Sequence, residues 1–128
     1  MSQIDRGFDA AFAASELSDA PRAGLRMGAA LFSGSRLLSV GANLYGRSHP
    51  ASVQAEGFTY STHCEHIALL RRQWFDTSGR LTLFVARRRS DGTIGNSRPC
   101  VNCLRLCLLA GVTRVWFYEH GTRKVATP

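Results

Sequence analysis

The chain has 128 residues, of which 45% are apolar, and a formal net charge of +7. That length suits one domain, residues 1–128, with a real core and no room for a second unit. No apolar run approaches a bilayer span, and Asp5, Asp9, Glu16 and Asp19 interrupt the amino-terminal segment where a signal peptide would need an unbroken apolar stretch. These features argue against a membrane or exported protein, and the expected location is the cytoplasm. The charge comes from 15 Arg and one Lys against nine acids. It favours anionic partners, nucleotides or nucleic acid, without choosing between them.

In chain order, the apolar residues Phe8, Ala11, Phe12 and Leu25 fit a helix over residues 8–27, with Gly7 a weak cap and Pro21 either breaking it or opening a second segment. Residues 29–32 and 37–42 flank a polar turn holding Gly34, a hairpin signal. Residues 43–60, rich in Gly, Ser, Pro and His, have no apolar period and are expected to form a long functional loop. Helical spacing returns with Ile67, Ala68, Leu70, Trp74 and Phe75, and Ser61 or Thr62 can cap that helix. Residues 81–86 form an apolar strand interior to a sheet, leading through Arg87, Arg88 and Arg89 to a turn at 91–95. Pro99 suits a helix start, residues 101–110 form a short apolar helix, and Gly111 stops it. Residues 115–118 are the last clear strand, and 120–128 are expected to be an edge or tail. Phe84, Trp116, Phe117 and Trp74 are core or interface candidates. This order predicts an α/β fold whose crossovers lay helices against one face of the sheet.

Two short stretches carry chemistry: Thr62, His63, Cys64, Glu65 at one predicted helix start, and Pro99, Cys100, Val101, Asn102, Cys103 at another. Cys100, Cys103 and Cys107 crowd into one segment, which favours reduced thiols serving a metal over a disulfide framework. Zinc takes imidazole and thiolate in tetrahedral sites, and a catalytic site leaves one position for water. His63, Cys100 and Cys103 can supply three ligands, and Glu65, two residues beyond His63, can set a carboxylate beside the open position to carry a proton. A redox pair or a structural zinc module remains the alternative, the latter requiring a fourth ligand from Cys64, Cys107, His49 or His66.

The combined pattern, H-x-E followed by P-C-x-x-C, resembles the cytidine and deoxycytidylate deaminase superfamily, which includes tRNA adenosine deaminases. The resemblance covers roughly residues 29–118. It implies a three-layer sandwich, a central mixed sheet flanked by helices. It implies that His63, Cys100 and Cys103 bind zinc, and that Glu65 shuttles a proton during hydrolytic deamination by a zinc-activated water. It further implies that Cys64 contributes its main-chain N–H to substrate, in a position usually held by alanine, and that Asn43 contacts sugar or base.

For substrate, Arg47 and His49 in the long loop and Arg98 beside the Pro-Cys motif can meet phosphate. Tyr60, with Tyr45 and Phe58, can stack on a base. Arg87, Arg88 and Arg89 can track a polynucleotide. A cytosine base in a free nucleoside or nucleotide is the preferred substrate, and a cytosine or adenine in single-stranded DNA, RNA or tRNA is the alternative. No clear fifth strand is visible, so a homo-oligomer in which a partner subunit completes the site is expected.

Overall fold

A computed structural model describes residues 2–45, 61–72 and 80–128. Helix α1, Gln3–Ser15, begins earlier than the apolar pattern suggests, and its cap is not Gly7. Ser2 Oγ accepts from Asp5 N at 3.1 Å while Asp5 Oδ2 accepts from Ser2 N at 3.3 Å, a capping box that satisfies two otherwise orphaned donors. The helix stops well before residue 27. Pro21 lies in non-helical chain, Ala23–Leu25 is a single 3₁₀ turn, and Met27 already belongs to a strand.

Strands β1, Met27–Ser33, and β2, Arg36–Ala42, form the expected hairpin, turning at Gly34 with φ of 59°. Two short strands, β3 at Leu44–Tyr45 and β4 at Ser61–Thr62, pair antiparallel and bracket residues 46–60. Helix α2 spans Cys64–Arg71, with His63 as its cap residue, and Ser61 and Thr62 belong to β4. Then come β5, Leu81–Arg87, helix α3, Val101–Leu109, and β6, Val112–Glu119, longer than its apolar pattern indicates. Pro99 sits one residue before the cap residue of α3, Cys100, and Gly111 closes that helix with φ of 87°.

The final residues do make a fifth strand of the main sheet. β7, Thr122–Ala126, returns antiparallel along β6 after a two-residue turn in which His120 (φ 53°) and Gly121 (φ 77°) both take positive φ. That is the backbone a tight hairpin turn demands.

The main sheet has the order β2-β1-β5-β6-β7, antiparallel except between β5 and β6. Alternation along its strands separates two cores. Ala29, Leu31, Leu83, Val85 and Val115 pack with Cys64, Ala68 and Cys107 of α2 and α3. Ala30, Phe32, Phe84, Ala86 and Tyr118 pack with Phe8 and Ala11 of α1. The result is three layers, with α2 and α3 sharing one face as the crossover preference requires. Phe84 and Phe117 are buried and Trp116 packs beside α1, while Trp74 lies outside the described residues. No helix among the described residues is long and apolar enough to cross a membrane.

One close approach fixes the start of α2. A Cβ on Gly41 would fall 2.5 Å from Ala68 N and Cys64 O, so only glycine lets β2 and α2 meet this closely. Ser39 Oγ then donates to Ala68 O at 2.7 Å. The amino end of α2 is therefore held directly against the sheet.

Candidate metal centre

The starts of α2 and α3 converge. His63 Nδ1 lies 3.2 Å from Cys103 Sγ and 3.6 Å from Cys100 Sγ, and the ligand atoms of all three residues fall within 4.8 Å of one another. A tetrahedral zinc with bonds of about 2.0 Å to nitrogen and 2.3 Å to sulfur separates those donors by about 3.5 Å. The cluster fits that ion in donor type and in spacing.

Helix geometry prepares the thiols. Cys100 is the cap residue of α3, and its Sγ accepts from Cys103 N at 3.4 Å, where most helices use a hydroxyl or carboxylate oxygen. The Cys103 thiol, followed by His63 and the Cys103 backbone, lowers the Cys100 thiol from the ordinary 9.0 to about 4. Cys100 is thus a thiolate at neutral pH, the form that binds metal. Cys103 is fully buried, whereas Cys100 is exposed.

The loop before Cys100 is anchored by residues that its composition does not announce. Ser97, 1% exposed, donates from Oγ to Val85 O at 2.7 Å and accepts from Tyr118 N at 2.9 Å, tying the loop to β5 and β6 together. Arg87 Nε donates to Asn96 O at 2.9 Å, and Asn96 Oδ1 accepts from His120 N at 2.8 Å. The only sequence signal for these residues is their position just ahead of Pro99.

Glu65 is buried at 3% exposure in the first turn of α2. Its Oε1 accepts a hydrogen bond from Cys64 Sγ at 2.8 Å. Burial, then the negative charge of Glu65, pushes the Cys64 thiol well above its ordinary range, so it remains protonated and can donate. Cys107 is also fully buried and is raised to about 12 by burial and by the charges of Glu65 and Cys100. It packs in the core as a neutral thiol. His66 lines a cavity of about 240 Å³ between α2 and α3 with Leu69 and Leu106. Among the described residues, the metal-capable group comprises His63, Cys100 and Cys103.

The remaining substrate candidates separate. Asn43 is buried, and both ends of its carboxamide are engaged by backbone: Nδ2 donates to Leu25 O at 2.8 Å and Oδ1 accepts from Met27 N at 2.9 Å. In this conformation it fastens the end of β2 to the entry of β1. Arg98 lies 3.5 Å from Glu119 Oε2 and above the Phe117 ring. Tyr45 is exposed in β3, its N–H donating to Asp19 Oδ1 at 2.6 Å. Arg47, His49, Phe58 and Tyr60 lie outside the described residues.

No protein-family model matches the chain, and a search of curated proteins returns no match. Solved structures do match. A cytidine deaminase from Burkholderia pseudomallei superposes with a TM-score of 0.68 at 22% identity, covering 99% of this chain and 93% of that one. A cytidine deaminase from Mycobacterium leprae gives 0.61 at 22% identity, with 98% and 94% covered. A dCMP deaminase from the cyanophage S-TIM5 gives 0.57 at 20% identity, with 88% and 79% covered. At these identities the likeness establishes the fold.

Proposed function

We propose that this chain, which has the cytidine deaminase fold, is a zinc-dependent hydrolase that removes the exocyclic amine from a cytosine base in a free nucleoside or nucleotide. The observation that carries the reading is the convergence of His63, Cys100 and Cys103 with a buried carboxylate, Glu65, two residues from the histidine. Zinc held by those three side chains would supply a Lewis acid that makes water acidic enough to act as nucleophile near neutral pH. The chain's own part in catalysis is proton handling. Glu65 would take a proton from water, deliver it to the ring nitrogen next to the reacting carbon, and pass the next to the departing ammonia. The free-nucleotide preference is supported by the neighbours, one of which was solved with dCMP and dUMP.

The test presents zinc-loaded protein with cytidine, deoxycytidine, dCMP, adenosine, single-stranded DNA and tRNA, with conversion read by mass. Conversion of a free cytosine nucleoside or nucleotide supports the proposal, and conversion of none of the six sinks it. Conversion of polymer alone moves the assignment to the second reading, a base within a strand, which the run Arg87, Arg88 and Arg89 favours.

Cys64 holds the proton carrier within this reading. Cys64→Ala should lower kcat about tenfold through loss of one hydrogen bond to a charged group, with KM little changed. Cys64→Ser, which restores a donor, should recover most of it. Equal kcat in all three proteins would show that the hydrogen bond does not matter to turnover.

A homo-oligomer is supported by apolar residues exposed on α2 and α3: Leu70 at 42%, Val101 at 74%, Leu108 at 58% and Leu109 at 77%. Scattered exposed leucines are ordinary, but four on two neighbouring helices mark a surface suited to burial. Leu109→Glu should shift sedimentation velocity profiles toward the monomer. A monomeric wild type would end that reading.

A further inference from the structure

The arginine run at the end of β5 takes no direct part in the metal cluster, and the fold joins it to two more arginines. The 3₁₀ turn Ala23–Leu25 lies against this end of the strand, with Arg87 Nη1 donating to Gly24 O at 2.8 Å. Two adjoining cavities result. One of about 490 Å³ is lined by Arg22, Arg87 and Arg89, and one of about 150 Å³ by Arg26, Arg88 and Arg89. Arg89 and Ser90 line both, so the cavities share a wall.

These guanidiniums are held by neutral oxygens. Arg26 Nε donates to Ala20 O at 3.4 Å, Arg87 Nε to Asn96 O at 2.9 Å, Arg88 Nη1 to Gly92 O at 3.2 Å, and Arg89 Nη1 to Thr93 Oγ1 at 3.4 Å. Arg88 also lies over the Phe12 ring, 4.3 Å from its centre. Among the described residues none of the five forms an ion pair. Two acids are near: Glu16 lines the smaller cavity, and Asp91 accepts from Thr93 N and Oγ1 at 2.9 and 2.6 Å. They leave a clear excess of positive charge.

A guanidinium has five N–H donors, so a carbonyl bond or two orients the group and leaves donors for an anion. The five form no ion pair among the described residues, Asp91 acting on Arg89 only through its field, so the like charges repel one another and an external anion relieves that repulsion. Their spread over two cavities with a common wall suits successive phosphates better than one. A flexible single strand can follow such recesses, whereas a duplex presents a stiff convex surface.

We propose that Arg22, Arg26, Arg87, Arg88 and Arg89 form a binding surface for the phosphate backbone of single-stranded nucleic acid. None of the five belongs to the metal-capable group, and the proposal does not depend on the deaminase reading.

The test measures binding of fluorescent oligothymidylate to the full chain across a salt series. The polymer contains no cytosine, so the result is read independently of turnover, and failure here leaves the deaminase proposal standing. One variant carries Arg22→Glu and Arg89→Glu. A charge-matched control carries Arg80→Glu and Arg114→Glu, exposed residues at the opposite end of β5. The patch variant should show a slope of log Kd against log salt shallower by about 1.4, at about 0.7 for each phosphate that is no longer neutralised. The control should keep the wild-type slope. Thermal unfolding checks that both are folded, and Arg22→Gln with Arg89→Gln replaces the patch variant if it is not. Equal loss in the two variants would reduce the effect to net charge and overturn the proposal. So would no binding by wild type, equal or tighter binding of a duplex, or competition by inorganic phosphate or dCMP as effective per phosphate as the polymer.

Discussion

Replacing Glu65 by glutamine is expected to lower kcat by about 10²–10⁴-fold, the range that a positioned general acid–base group contributes. Zinc content and thermal unfolding should stay near wild type. The variant is informative because Gln retains an oxygen that can accept from Cys64, preserving the 2.8 Å hydrogen bond that orients the side chain, while losing the capacity to carry a proton. Glu65→Ala is less clean, since it also opens a cavity where the side chain is 3% exposed and removes the thiol's acceptor. The assay is ammonia release or mass conversion on the best substrate of the panel, with zinc measured on the same sample. Full activity in Glu65→Gln would remove Glu65 from the chemistry. A wild type that binds zinc and releases no ammonia from any substrate would point to a non-catalytic metal module.

The residues that bring the cluster together were legible because metal ligation imposes both residue type and spacing. Two ligands three residues apart at one helix start, and a histidine at another, leave few geometric options once the crossovers put both helices on one face. The sheet interior was legible for a similar reason: β5 packs on both sides, so five of its seven residues are apolar. What escaped was governed by single polar atoms. α1 begins at Gln3 because Ser2 and Asp5 cap each other, a signal that apolar periodicity does not register. β7 looks like a tail because four of its five residues are exposed, and the turn that announces it is one residue pair, His120 and Gly121. The hydrogen bonds of Asn43 with Leu25 and Met27, the anchoring of Ser97 and the gathering of five arginines join residues far apart in the chain. The run Arg87 to Arg89 is visible in the sequence, but nothing local joins it to Arg22 and Arg26, or Asn43 and Ser97 to their partners.

Cys103→Ala is expected to abolish stoichiometric zinc binding, because it removes the buried member of the three-ligand set. A ligand that binds only the folded chain stabilises it by about 4 kcal/mol when free ligand exceeds Kd a thousandfold. For a domain of this size that corresponds to a fall of about 15 °C in Tm, and chelating zinc from wild type should produce the same fall. Comparing the two proteins with and without chelator isolates the metal: the chelator should lower Tm in wild type and leave Cys103→Ala unmoved. An unchanged wild-type Tm on complete zinc removal would show that the cluster contributes nothing to stability. Cys100 adds a pH signature to the metal-free chain. Its thiol is depressed from the ordinary 9.0 to about 4, so the folded state gives up this proton more readily than the unfolded state. The resulting stabilisation is full above about pH 9 and declines as pH falls. It is gone once pH has dropped through the folded value near 4. Metal-free wild type should therefore be more stable than metal-free Cys100→Ala at high pH, with the two converging toward pH 4. A constant difference across that window would mean that Cys100 acts through packing instead of charge. Because the Cys100 thiolate is already formed at neutral pH, zinc capture there displaces little proton from Cys100.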